Sequence, residues 1–257
     1  MLVYRLKIFV LNLIKFKWLI RFFEYFRFFG EWIKFRSSND GRFTVAAMDL
    51  YPCLDDRTST TGFDRHYTYH PAWAARMVAK INPKVHVDIS SILAFSTQLS
   101  AFIPVKFYDY RPAELTLSGL ESEHADLTNL HFESNSIESI SCMHTIEHVG
   151  LGRYGDPIDP TGDLKAINEL KRVTAVGGSI LFVTPIGGKA QIQFNGHRIY
   201  THSQIMEYFE GFELKNFSLI TDYKYPKAFI NDATAADADK QKYGCGCFWF
   251  VKKAATV

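Results

Sequence analysis

His144, Glu147 and His148 stand together as H-x-x-E-H, and His197 follows in a second polar stretch, Gln193 to Arg198. On a helix, H-x-x-E-H puts two imidazoles on one face to bind a metal, with the glutamate as base. Here the motif directly follows an apolar run, Ile137 to Met143, and Gly150 and Gly152 would cut a helix to barely one turn. A metal hydrolase would also need a third ligand, which the sequence does not locate, so no metal is expected. His148 is then either a reactive side chain or an imidazole hydrogen-bonded structurally beneath the following loop. That loop, Gly150 to Gly162, offers Arg153, Tyr154, Asp156 and Asp159. D-P-I-D-P-T-G-D lacks the alternation and closing glutamate of an EF-hand, so its acids read as solvated. Arg153 suits a phosphate or carboxylate on a bound molecule. A last pair is Asp88 and Asp109, 21 residues apart. An acid about 20 residues beyond the first turn of a βαβ unit holds ribose hydroxyls, two acceptor oxygens meeting two neighbouring hydroxyls. The alternative for Asp109 is a cap on Arg111 in a surface turn.

These residues need strands and crossover helices to position them. Ile137 to Met143 reads as a buried strand, and Leu164, Ile167, Leu170 and Val173 have helical spacing. Gly177 and Gly178 suit the end of that helix. Ser179 to Thr184 is a second apolar run, stopped by Pro185. Strand, helix and strand make a βαβ unit and predict a parallel sheet, with its site beyond the carboxyl ends. Val85 to Ile89 and Val105 to Tyr108 read as further parallel strands, Phe217 to Ile220 as a sixth, and Cys247 to Val251 as the last. Pro71 suits a helix start, with Trp73, Ala74, Met77, Val78 and Ile81 on one face. A later helix is started by Thr201 or Ser203, and the Ala-rich run 233–240 reads as an exposed connection.

The acidic strand start Ser136-Ile137-Glu138, the following Ile-Glu-His-Val and the segment NELKRVTAVGGSILFVTP resemble the fourth strand, helix and fifth strand of class I S-adenosylmethionine (SAM) methyltransferases. The insertion H-x-x-E-H-V-G-L-G-R-Y-G-D is similar to an uncharacterised branch grouped with those enzymes. The resemblance covers roughly residues 81–222 and implies a Rossmann-like, seven-stranded α/β sheet, mostly parallel, with an antiparallel last strand. It implies SAM as cofactor. Asp88 matches the acidic residue after the first strand, and Ser90 stands where the first glycine is expected, with no G-x-G following. A serine fills that turn only at negative φ or under strain. Asp126 and Leu127 match the pair that contacts adenine, an Asx turn being the rival for Asp126. Met143 and His144 fall beside the methionine end of SAM. Arg153, Tyr154 and Arg198 fall on the acceptor side. A hydroxyl acceptor needs a proton acceptor, for which His148 comes first, His197 and His144 next, with Glu147 orienting the imidazole. The cluster His66-Tyr67-Thr68-Tyr69-His70 is either a substrate cap or aromatic packing under a loop.

With 47% hydrophobic and 22% charged residues over 257 positions the chain is globular, and a net charge of +2 carries no nucleic-acid signature. Four cysteines at this size make no disulfide scaffold, so a reducing, cytoplasmic compartment is expected. Three segments are expected: a basic aromatic amphipathic helix over 1–36, a lead-in over 42–80 and the methyltransferase-like domain over 81–257. The first holds eight Lys/Arg against two Glu. Its charges from Lys17 to Lys34 recur every three or four residues as one polar stripe, the rest being mostly Phe, Trp, Tyr, Leu and Ile. That apolar face is expected to meet the protein itself, a second copy or a membrane surface, where attachment would be peripheral. Its longest uncharged run, Ile8 to Ile14, is far short of the ~20 residues a span needs. The expected activity is methyl transfer to an oxygen or nitrogen of a small or carbohydrate-like acceptor. The alternatives are a non-catalytic binding or scaffold protein on the same fold, and a nucleotide-sugar enzyme using Asp109 on another nucleoside.

Overall fold

The computed structural model describes residues 2–254, with side chains from Trp18 onward. The chain forms two compact units, Met1–Gly62 and Phe63–Val257.

The first unit is built on helix α1 (Leu2–Ser37). Its stripe residues up to Lys17 lie outside the described side chains. Further on, Glu24, Phe28 and Trp32, four residues apart, are half-buried on one face. The segment after the helix returns along the charges. Arg21 donates both Nη atoms to Asp55, at 3.0 and 2.9 Å, and Arg57 Nη1 donates to Glu31 Oε1 at 3.1 Å. Arg21 and Glu31 of the stripe are therefore met within the unit, while Trp18, Phe22 and Phe26 stay exposed. Among the described residues no helix is long and apolar enough to cross a membrane.

The second unit is a three-layer α/β fold. Its elements run α2 (Arg65–Ile81), β1 (His86–Ile89), α3 (Leu93–Leu99), β2 (Val105–Asp109), β3 (Leu120–His124), β4 (Ile137–Met143), α4 (Gly162–Val173) and β5 (Thr174–Ile186). After these come β6 (Gln191–Gln193), β7 (His197–Ile199), α5 (His202–Tyr208), β8 (Phe212–Ile220), β9 (Phe229–Ile230), α6 (Ala235–Asp239) and β10 (Gly244–Lys252). The main sheet has the order β3-β2-β1-β4-β5-β10-β8-β9. β1 to β5 are parallel, and β10 runs antiparallel between β5 and β8. The order reverses between β1 and β4, where open sheets of this kind hold ligands. Alternation sorts the strand residues between the two faces. Ile180 and Phe182 pack with Ile167 and Leu170 of α4, whereas Leu181 and Val183 pack with Trp73 and Met77 of α2 and Phe95 of α3.

Several boundaries differ from the sequence reading. The main sheet has eight strands rather than seven, because the short β9 extends the edge beside β8. β3 was not legible, since Leu-Glu-Ser-Glu-His on a half-exposed edge has no apolar alternation. Helix α2 starts at Arg65 and contains Pro71, because Asp64 caps it, its Oδ1 accepting from Tyr67 N at 2.9 Å. The 66–70 cluster thus lies inside the helix rather than ahead of its start. Gly177 and Gly178 do not end α4. The helix stops at Val173, and both glycines lie in β5, where the pairing with β4 shifts register. A Cβ on Gly178 would sit 2.9 Å from the carbonyl oxygen of Ile137. β5 also runs on through Pro185, beyond the end of β4, while Pro185 still pairs with Cys245 of β10. Thr201 caps α5 with a full capping box, and a second box at Thr234 turns the expected 233–240 connection into α6.

Candidate cofactor and acceptor cleft

A cleft of about 360 Å³ opens beyond the carboxyl ends of β1, β2 and β4. That volume falls in the usual range for small-molecule sites. Its walls include Ser90, Asp109, Asp126, Leu127, His144, Thr145 and His148, together with Tyr154 and Asp156 of the loop after β4.

Ser90 directly follows β1 at φ +56, inside the left-handed region. The strain that the missing glycine predicted is present, and three bonds hold it. Ser90 N donates to Tyr108 O at 2.7 Å, its hydroxyl leans on the same oxygen at 3.4 Å, and Thr145 Oγ1 donates to Ser90 O at 2.9 Å. Thr145, also on the wall, escaped the sequence reading because a lone threonine after a strand carries no motif.

Asp109 reaches the cleft from the end of β2. Its Oδ1 accepts from Arg111 N at 2.7 Å, which is the turn cap anticipated as the alternative, and that bond leaves Oδ2 for a ligand. Asp126 likewise spends Oδ1 on an Asx turn, accepting from Thr128 N at 2.8 Å and Thr128 Oγ1 at 2.7 Å. For both residues the structural role and the cleft position coexist.

Asp88 is not on the cleft wall. It lies one residue before the strand end and points into the sheet, fully buried. Its Oδ1 accepts from Ser141 Oγ at 2.5 Å and its Oδ2 from the Ser96 hydroxyl. Burial raises its carboxyl pKa to about 6 despite those serines. Met143 is likewise core, packed on the α2 side of the sheet.

The H-x-x-E-H segment is a single 3-10 turn, Ile146–His148, so its two histidines do not share a helix face. His144 stands at φ +55 and lines the cleft. Its Nδ1 is 2.7 Å from Glu147 Oε1. Glu147 is 1% exposed and lies behind the wall. It orients His144 rather than His148, whose Nε2 is 3.8 Å away, beyond hydrogen-bond reach. Burial pushes the Glu147 carboxyl up, but His144 and His148 together hold it below its ordinary value. His148 faces the cleft with Nδ1 2.6 Å from Gly196 O. Burial lowers its pKa, with Glu147 opposing.

The predicted acceptor residues divide. Tyr154 lines the cleft, sandwiched between the guanidinium of Arg111 at 4.7 Å and that of Arg153 at 5.1 Å. Arg153 spends Nη1 on Gly196 O at 3.1 Å. Arg198 is buried and structural. Its Nη1 donates to Val149 O at 2.6 Å, and its Nε pairs with Asp163 Oδ2 at 3.4 Å, tying β7 to the loop and α4. His197 packs at a 40° tilt against Tyr243, ring centroids 5.0 Å apart, and is not among the lining residues. The loop itself is held by Asp156, whose Oδ2 accepts from Gly150 N at 2.7 Å. Gly150, at φ +78, is obligatory there, because a Cβ would collide with the Asp159 carbonyl.

Residues 117–240 match the family model described as Caenorhabditis protein of unknown function, DUF268. No curated protein matches the chain. Among solved structures, a chain described as a methyltransferase, in complex with the Haloferax volcanii Trm112 methyltransferase activator, is 15% identical. The match covers 76% of this chain and 92% of that one at a TM-score of 0.50. YcgJ from Bacillus subtilis is 10% identical over 73% of this chain and 99% of its own, at a TM-score of 0.48. The N-methyltransferase NodS from Bradyrhizobium japonicum, in complex with S-adenosyl-L-homocysteine, is 11% identical over 71% and 87%, at 0.45. The first of these likenesses shows a shared fold, the class I methyltransferase sheet that the sequence resembles.

Proposed function

We propose, from the premise of that fold, that the protein transfers a methyl group from SAM to an oxygen or nitrogen of a small or carbohydrate-like acceptor. The observation that carries the reading is the convergence of Asp109, Asp126 and Leu127 with His144 and His148 on one cleft at the β1/β4 switch point. The donor set fits the cofactor. Asp109 offers a carboxylate oxygen to ribose hydroxyls, Asp126 and Leu127 sit where an adenine edge is read, and the Ser90 turn opens the floor between them. SAM, when bound, supplies an already activated methyl group. The protein's share is then to hold the acceptor in line and to take its proton. His148 suits the proton, because its Nδ1 is committed to Gly196 and its lowered pKa keeps the ring neutral at pH 7.

Calorimetric titration with SAM and S-adenosylhomocysteine tests the reading. Micromolar binding, weakened at least tenfold in Asp109→Ala, is expected, as loss of a charged hydrogen bond costs about 1.5–3 kcal/mol. The second reading, a binding or scaffold protein on the same fold, is favoured by the strained serine in place of glycine and predicts no SAM binding at all.

A further inference from the structure

His144, the first histidine of H-x-x-E-H, meets further candidate ligands from elsewhere in the fold. Helix α2 lays His66 against His144, their rings stacked with centroids 5.3 Å apart, and His70 meets the same ring edge-on at 5.0 Å. From the other side, β10 brings Cys245, which is fully buried. One ring nitrogen of His66, one of His144 and the Sγ of Cys245 all lie within 4.8 Å of one another.

The hydrogen bonds around this cluster are those of a ligand set. The Nδ1 of His144 is engaged by the Glu147 carboxylate at 2.7 Å, and the Nδ1 of His70 by the carbonyl oxygen of His66 at 2.7 Å. Both partners accept, so both Nδ1 atoms carry the proton and both Nε2 atoms present a lone pair. Each Nε2 is buried and has no partner among the described residues, and neither has Glu147 Oε2. Leaving a buried polar atom unpaired is costly, so the His144 ring, grouped with His66 and the Cys245 thiol and unpaired at Nε2, calls for a partner. A carboxylate behind an imidazole whose other nitrogen is free is the usual support of a metal-bound histidine.

We propose that His66, His144 and Cys245 bind a divalent cation of the zinc type, with Glu147 supporting His144 from behind and the His70 imidazole adjoining the site. Two nitrogens and a thiolate suit that borderline ion better than calcium or magnesium, which take oxygen. A tetrahedral zinc needs ligand atoms about 3.3–3.6 Å apart, from bond lengths near 2.0–2.3 Å. The three groups therefore need to close by up to about 1.5 Å, which side-chain rotations can supply. Binding replaces the thiol proton of Cys245, which is released to solvent. The ion would pin α2 and β10 to the His144 turn, the wall of the cleft. This inference does not depend on what fills the cleft.

The test uses the full chain, stripped with a chelator and titrated with Co²⁺ and then Zn²⁺. The expected result is one equivalent of Co²⁺ with tetrahedral d–d absorption and a thiolate-to-cobalt charge-transfer band, both bleached by Zn²⁺. Cys245→Ser is expected to lose the charge-transfer band, and His66→Ala and His144→Ala to weaken Co²⁺ binding at least tenfold. Glu147→Gln, which keeps the shape, is expected to weaken Zn²⁺ about 10–100-fold. Cys53→Ser, at an exposed cysteine in the first unit, is expected to match the parent. Absence of the charge-transfer band in the folded parent chain, or its persistence at full strength in Cys245→Ser, would overturn the proposal.

Discussion

The Nδ1 of His148 lies 2.6 Å from the carbonyl oxygen of Gly196, a contact that fixes which nitrogen of the ring is left to act as a base. A carbonyl only accepts, so Nδ1 holds the proton and Nε2 the lone pair. His148→Ala is expected to lower turnover at least 100-fold, the usual worth of a positioned base, with SAM affinity changed less than twofold. Turnover within tenfold of the parent would remove His148 from the mechanism. His148→Gln, similar in size, separates loss of the base from loss of packing.

The same ring has a predicted titration. Burial lowers the His148 pKa below 6.5, and the Arg153 guanidinium, 3.2 Å from Nδ1 at its Nη1, lowers it further, while Glu147 raises it. The base form is therefore retained as pH falls to 6.5 and is lost only below it. Following the His148 Cε1 proton by NMR should give a midpoint under 6.5, moving upward in Arg153→Ala. An unmoved midpoint in that variant would mean the guanidinium does not act on the ring.

Ser90 at φ +56 stores backbone strain that a glycine would not. Ser90→Gly should raise stability by up to about 1 kcal/mol in urea unfolding and leave SAM binding intact, because the Ser90 N–H to Tyr108 bond survives. Ser90→Val should be destabilising, since a β-branched residue resists positive φ.

Asp88 and His86 make a buried relay. Ser139 Oγ donates to His86 Nδ1 at 2.8 Å, His86 Nε2 donates to Ser141 Oγ at 2.9 Å, and Ser141 donates to Asp88. Burial lowers His86 from 6.5 to about 3 and raises Asp88 from 3.8 to about 6. Between pH 3.8 and 6 the unfolded chain gains a proton at His86 while the folded chain gains one at Asp88, so their linkage slopes cancel. Asp88→Asn leaves the His86 half. Relative to the parent, its stability should fall by about 1.4 kcal/mol for each pH unit from 6 down to 3.8. His86→Gln leaves the Asp88 half and should show the opposite sign. Parallel profiles for all three proteins would contradict the relay.

Exposed Trp18, Phe22 and Phe26 on α1, with the adjoining charges engaged by Asp55 and Arg57, leave an aromatic face for another surface. We expect the full chain to float with vesicles containing anionic lipid and a chain lacking residues 1–36 to stay behind. Equal behaviour of the two would exclude lipid as the partner of this face.

Which side chains reach the cleft was only partly legible. Asp109, His144 and His148 were legible because they stand at or just beyond the carboxyl ends of strands, where the chain leaves the sheet and side chains turn toward the site. Asp88 and Met143 were misplaced by a single residue's reach, still inside the strand, where alternation points them into the core. Arg198 was read as a binding cation because nothing local announces Asp163 and the Val149 carbonyl as its partners.

Sequence by itself determined the βαβ order, the parallel sheet with its antiparallel last strand, the serine in the first turn and the carboxylates after it. The antiparallel last strand follows from the resemblance to class I methyltransferases, and the rest from periodicity, turn chemistry and spacing along the chain. Only the tertiary structure decided that Glu147 serves His144 rather than His148, and that His66 and Cys245, 179 positions apart by number, meet at one imidazole. Local period fixes the face a residue occupies, but the partner on that face is set by how α2, β4 and β10 pack, which no short-range pattern encodes.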